Sequence, residues 1–228
     1  MPACKDCKWI LKDGCGAPAM VKRRRSSPVR HCIGAILESM ISEARGNVLE
    51  VGPGNAHALR RNLVRKREQG TDVLWFGIEP RWGDERKNLF KGSVGRMPFV
   101  DGFFDMVCSI CSMEHWHEKR DSVEKGIAEC RRVLKPGGTF WSCVPIHYHG
   151  DWIFIRGEMR TIKRMFRQGW GSVHFDAWRK DYEPLEPFRP WKTALGTDRP
   201  ARIEKAVMES SRQKVPSSWL LEIKAVKE

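Results

Sequence analysis

The sequence contains no run of about 18 consecutive apolar residues, so no segment reads as a membrane-spanning helix. Its first residues are polar and carry cysteines, unlike the apolar core of a signal peptide, and a cytoplasmic location is the expectation. No internal repeat or low-complexity tract interrupts the chain. Two phosphate-binding signatures are missing as well. No Gly-Lys-Ser/Thr follows the glycine turn at Gly52-Pro53-Gly54, which excludes a Walker-type loop. The same turn has His57 where a dinucleotide-binding G-x-G-x-x-G would need its third glycine.

Acid is scarce relative to base: 28 Asp/Glu stand against 41 Lys/Arg, for a net charge of +13. The excess sits at the ends of the chain. Residues 1–31 carry +6, residues 32–155 only +1, and residues 156–228 again +6. A nearly neutral centre with basic flanks suits an anionic partner docking beside a core site, such as nucleic acid, an acidic glycan or a membrane surface. Plain solubility is the alternative reading.

At 228 residues the chain can bury one full core with a small appendage. The appendage is residues 1–27, a basic arm with Cys4-x-x-Cys7, Cys15 and Lys22-Arg23-Arg24-Arg25. A C-x-x-C knuckle aims two thiolates at one ion, so Cys4, Cys7, Cys15 and Cys32 are candidate ligands for zinc or an iron–sulfur centre. His31 is the alternative fourth ligand, and free thiols are the alternative to any metal. Cys108, Cys111, Cys130 and Cys143 fall inside apolar patterns and read as small core residues.

The main domain is residues 28–228. Ser27-Pro28 opens a helix with one apolar face, closed by Gly46. Val48–Val51 is a short apolar strand that ends in an acid and a glycine turn, and His57–Gln69 is helical. Val73–Ile78 is a second strand ending at Glu79. Asn88–Val94, Phe103–Ile110 and Thr139–Val144 are further strands. Between the last two lies a helix that Asp121-x-x-Glu124 opens as a capping box and Lys135-Pro136-Gly137-Gly138 stops with a turn. Strands alternating with helices at these spacings predict a parallel α/β sheet covered on both faces. Beyond Pro145, a helix at Met159–Phe166 and strands at 171–178 and 216–226 predict an antiparallel extension of one edge.

The pattern Glu50-Val51-Gly52-Pro53-Gly54-Asn55-Ala56 resembles motif I of class I S-adenosylmethionine-dependent methyltransferases, of the small-molecule, lipid and glycan type. Four further segments resemble the family in order and spacing: Trp75–Glu79, Gly92-Ser93 with Met97–Asp105, Met113-Glu114-His115-Trp116, and Glu129–Gly138. The resemblance covers residues 46–146, the cofactor half, and leaves 147–228 for the acceptor. It implies a seven-stranded Rossmann-like fold, mostly parallel, with an antiparallel C-terminal hairpin. It also implies S-adenosylmethionine contacts at Glu50, Gly52, Pro53, Gly54, Asn55, Glu79, Pro80, Ser93, Val94 and Cys111. Glu79 would accept from the ribose diol, and Glu50 would place negative charge near the ammonium group. Ser93 stands where the family usually has Asp.

Methyl transfer from a sulfonium needs a positioned acceptor, and a hydroxyl acceptor must also lose a proton. His147, His149 and Asp151, directly after the fifth strand, are candidates for a general base or for metal ligation, with loop hydrogen bonding as the alternative. His115 reads as structural or pocket-lining. The expected reaction is O-methylation of a small molecule or glycan, with RNA or protein methylation, or an idle scaffold subunit, as the alternatives.

Overall fold

The computed structural model describes residues 10–11, 14–15, 28–54, 58–119, 121–147, 149–178 and 219–228. Two short strands, β1 (Ile10–Leu11) and β2 (Gly14–Cys15), pair antiparallel. The main sheet contains β3 (Gly46–Val51), β4 (Val73–Glu79), β5 (Leu89–Lys91), β6 (Phe104–Ile110), β7 (Leu134–Ile146), β8 (Trp170–Trp178) and β9 (Trp219–Lys227). Its order is β5-β4-β3-β6-β7-β9-β8, with the first five strands parallel and β9 antiparallel to both β7 and β8. The expected seven-stranded, mostly parallel fold with an antiparallel edge is therefore present. No helix among the described residues is long and apolar enough to cross a membrane.

Period-two alternation along the central strands sends side chains to two separate cores. Val48, Trp75, Cys108, Trp141 and Cys143 face α1 (Pro28–Glu43) and α2 (Ala58–Glu68), whose Ile36, Met40, Leu59 and Leu63 are buried there. Leu49, Val51, Val107, Phe140 and Val144 face the other way. There they meet α3 (Val123–Val133) and α5 (Met159–Arg164) through Val123, Ile127, Cys130, Met159 and Ile162. Both faces are buried, which is why these strands read as near-continuous apolar runs.

Three local expectations need correction. Asp121 does not cap α3; Ser122 does, its hydroxyl accepting from the Lys125 amide at 3.1 Å, while Asp121 accepts from Ser93. Lys135–Gly138 is no simple turn before a strand, because β7 already begins at Leu134, opposite Phe104. The register then jumps so that Met106 faces Thr139, leaving the intervening residues as a bulge. Gly137 allows it with φ +74°, and Lys135 ties it to the Asp105 carboxylate at 2.8 Å. Finally, α4 (Trp152–Arg156) has no counterpart in the sequence reading, being too short to show a period. It is set by its ends: Asp151 accepts from the Ile153 amide at 3.0 Å, and Gly157 closes it at φ +65°.

Gly77 is the tightest position near the sheet centre that bears on the site. A Cβ there would stand 2.5 Å from the Trp75 ring and 2.8 Å from Leu89 Cδ1. Overpacking of this kind costs about 1–3 kcal/mol. Gly77→Ala should lower the urea unfolding free energy by that amount, and an unchanged midpoint would show that the Trp75 ring moves aside without penalty.

Candidate active site

Across the sheet the chain runs from β3 to β4 and β5 on one side, then returns to place β6 and β7 on the other. Such a reversal opens a crevice beyond the carboxyl ends of the strands. Gly52 lies there at φ +69°, its amide donating to the Ile78 carbonyl at 2.8 Å. A Cβ on Gly52 would meet the Ser112 Cβ at 2.6 Å, so the β3 and β6 ends approach as closely as glycine permits. Ser112, which sequence reasoning did not single out, donates to the Val51 carbonyl at 2.6 Å and pins the two ends together. Pro53 is buried beneath the turn, and Asn55 lies outside the described residues.

Glu79 is 2% exposed at the end of β4. Its Oε2 accepts from the Gly54 amide at 3.3 Å and its Oε1 from Arg81 Nε at 2.7 Å. The carboxylate thus faces the glycine turn, with Pro80 half-buried next to it. Arg81 was not singled out in the sequence. Glu50 is 5% exposed and belongs to the face covered by α1 and α2. Burial pushes its pKa up to about 7, opposed by the hydrogen bond it accepts from Trp75 Nε1 at 2.9 Å.

Ser93 and Val94 are differently engaged. The Ser93 hydroxyl donates to Asp121 and accepts from the Gly95 amide at 3.2 Å, while the Val94 side chain is buried in the core. Cys111 is half-buried and follows the last residue of β6 at φ +48°, its amide donating to the Cys143 carbonyl at 2.9 Å. His147 follows the last residue of β7 in the same left-handed conformation, φ +58°. Non-glycine residues held there carry strain, and these two stand just beyond β6 and β7.

The two candidate catalytic imidazoles have different surroundings. His147 is 1% exposed and donates from Nδ1 to the Ile155 carbonyl at 2.9 Å, so it ties the loop to α4. Asp151 caps α4, accepting from the Ile153 amide at 3.0 Å. His149 is partly buried and tilted against His115, ring centroids 4.8 Å apart. Burial, then the neighbouring His115, lower its pKa to about 4. Beside them Glu114 is fully buried, and burial pushes its pKa up to about 8. Glu118 accepts from His115 Nδ1 at 2.8 Å. The proposed metal ligands Cys4 and Cys7 lie outside the described residues, as do the side chains of Cys15 and Cys32. A groove of about 350 Å³ lined by Arg131, Arg164, Arg167 and Trp170 on the α3 and α5 face shares no residue with this site.

Because Glu114 has a folded pKa near 8 against an ordinary 4.5, the unfolded chain releases its proton first as pH rises. Its contribution to stability therefore falls between about pH 4.5 and 8. Glu114→Gln should gain thermal stability relative to the parent progressively from pH 5 to pH 8. A pH-independent difference in melting temperature would show that Glu114 is ionised in the folded protein throughout.

A sequence profile of the methyltransferase-domain family matches residues 49–142. A protein of Encephalitozoon cuniculi with a provisional methyltransferase name is 28% identical over 129 residues, 57% of this chain and 54% of its own. The chain thus spans about half the length of that relative. The YcgJ protein of Bacillus subtilis superposes with a TM-score of 0.54 at 17% identity, covering 87% of this chain and 99% of YcgJ. An S-adenosylmethionine-dependent methyltransferase of Thermotoga maritima superposes at 0.51 and 14% identity, covering 88% and 91% of the two chains. The profile match runs from Leu49 in β3 through β4 and β6 to Ser142 in β7. Residues 49–142 thus resemble a methyltransferase domain in sequence, and the chain shares the fold of these solved structures.

Proposed function

We propose that the chain binds S-adenosylmethionine across the carboxyl ends of β3, β4 and β6, and methylates a hydroxyl of a small molecule or glycan in the cytoplasm. The observation that carries the cofactor reading is the buried Glu79 carboxylate, fixed at the end of β4 and turned toward the Gly54 amide. A carboxylate with two acceptor oxygens suits a vicinal diol, the ribose of the cofactor, whose hydroxyls would take the place of Arg81 on Oε1. Gly52 leaves the backbone open for the methionine portion, whereas the Glu50 carboxyl is held by Trp75 on the face covered by α1 and α2. When bound, the cofactor supplies an electrophilic methyl group on a sulfonium.

The acceptor then belongs on the far side of the crevice, after β6 and β7. Glu114, His115 and His149 meet there, and the loop carrying His149 is held to the β6 side because the Asp151 amide donates to the Glu114 carbonyl at 2.7 Å. His149 is the imidazole placed to help remove the acceptor proton. Its lowered pKa keeps it neutral above about pH 4, so it can accept at neutral pH.

Isothermal calorimetry with the intact chain should show S-adenosylmethionine binding, and no heat at any workable concentration would end the proposal. A hydrogen bond to a charged group contributes about 1.5–3 kcal/mol, so Glu79→Ala should weaken the cofactor roughly 10- to 100-fold. Equal affinity would remove Glu79 from the ribose site. Incubating cell extract with labelled cofactor, followed by mass spectrometry, should yield an O-methylated product. A methylated amine would overturn the hydroxyl assignment, and methylated RNA the small-molecule or glycan acceptor.

A further inference from the structure

Glu114, His115 and His149 each offer one ligand atom, and the three atoms lie within 4.8 Å of one another. Two come from the helical turn after β6 and one from the loop after β7, so the sheet rather than local sequence assembles the set. Glu114 is its unusual member. It is fully buried, and neither carboxylate oxygen has a hydrogen-bond partner. Native proteins rarely leave a buried polar group unpaired, and a carboxyl group is among the costliest to leave so. His115 Nε2 stands 3.9 Å from Oε1, too far for a hydrogen bond.

The surroundings are those of a coordination site. Glu118 accepts from His115 Nδ1 at 2.8 Å, which fixes the tautomer and leaves Nε2 on the Glu114 side. That carboxylate–histidine pairing is how metal-binding imidazoles are commonly oriented. Gly150, at φ +97°, packs so tightly on Glu114 that a Cβ would stand 2.5 Å from the Glu114 Cβ. The loop bearing His149 therefore cannot drift from the carboxylate. Two imidazoles with one carboxylate suit first-row transition ions better than Mg²⁺ or Ca²⁺, which prefer all-oxygen sets. Bonds of about 2.0–2.2 Å would draw the three atoms closer by roughly 1 Å, within reach of side-chain rotation.

We infer that Glu114, His115 and His149 bind one divalent transition-metal ion of the zinc class at the acceptor end of the crevice. The inference rests on the methyl-transfer reading for its purpose. With three protein ligands the ion keeps open positions for the acceptor oxygen and would ease loss of its proton. With the ion bound, His149 holds the metal instead of accepting the proton itself. The ion site itself depends only on the three side chains.

The test uses the full chain, purified without a histidine tag, stripped with chelator and titrated with Co²⁺. Visible d–d absorption should report one site bound more tightly than Mg²⁺. Glu114→Gln and His149→Gln should each weaken it at least 10-fold, and Glu118→Gln by about 10- to 100-fold. Any Co²⁺ on the N-terminal cysteines shows thiolate charge-transfer bands in the near ultraviolet, which these variants leave unchanged. Should the buried Glu114→Gln fail to fold, the other two variants carry the test. Unchanged Co²⁺ affinity in His149→Gln and Glu118→Gln, or Co²⁺ bound by thiolates alone, overturns the site. Calorimetry with S-adenosylmethionine is run on the same samples and should be unaffected by the variants. Cobalt retained without cofactor binding would refute the methyltransferase reading and leave the ion site standing.

Discussion

The hydrogen bond from the Trp75 indole to Glu50 is the interaction on which the cofactor end of the sheet depends. A carboxyl group inside a parallel sheet has neither water nor a ladder partner, and its burial is tolerable only with a donor at hand. Trp75 reaches it by lying across Gly77, the register partner of Glu50, where any side chain would block the ring. Arg60 on α2 stands over the same indole at 5.6 Å, so helix, strand and acid form one unit. The far end of the sheet repeats the solution. Glu222 accepts from Trp141 at 2.6 Å and from Trp178 at 2.5 Å, joining β7, β9 and β8 through a second indole-held carboxyl. Indoles suit the task because they add large apolar area to the core and carry a single N–H.

Most of the fold was legible in the sequence because each central strand is buried on both faces and punctuated by glycine or an acid. The glycine turn, the strand ending at Glu79 and the helix before β7 kept their places within a few residues. What was not legible followed from pairing across the sheet. Lys135–Gly138 has the composition of a turn, and only the register of β6 against β7 shows that it is a bulge inside a strand. Asp121 and Ser122 are both good caps by type. The choice between them was made by Ser93, which takes Asp121 from another part of the chain.

The candidate site was easier to lay out from sequence around the glycine turn than beyond β6 and β7, for the same reason. Glycines and acids at strand ends keep a fixed spacing along the chain. His147 and His149 looked equivalent at two residues apart, yet the left-handed backbone at His147 turns its ring into the α4 packing and leaves His149 against His115. Glu114 stood inside a quoted motif without a role, since nothing local says that a carboxyl group two residues after Ser112 will be sealed beneath Gly150. Arg81 was passed over likewise, its partner being known only once Glu79 faces the turn.

β9 lies between β7 and β8, and among the described residues β8 pairs with no other strand. The order of synthesis differs from the order in space. When β8 leaves the ribosome, β7 is already present but is not its neighbour, and the strand that joins them follows about forty residues later. Until then β7 shows a bare edge of backbone donors and acceptors, and the Glu222 carboxyl that binds the Trp141 and Trp178 indoles does not yet exist. A nascent chain in that interval is open to pairing with other strands, as exposed sheet edges are. Closure of this edge is a late, long-range event, so the rate of productive folding should be governed more by the arrival of β9 than by assembly of the parallel half.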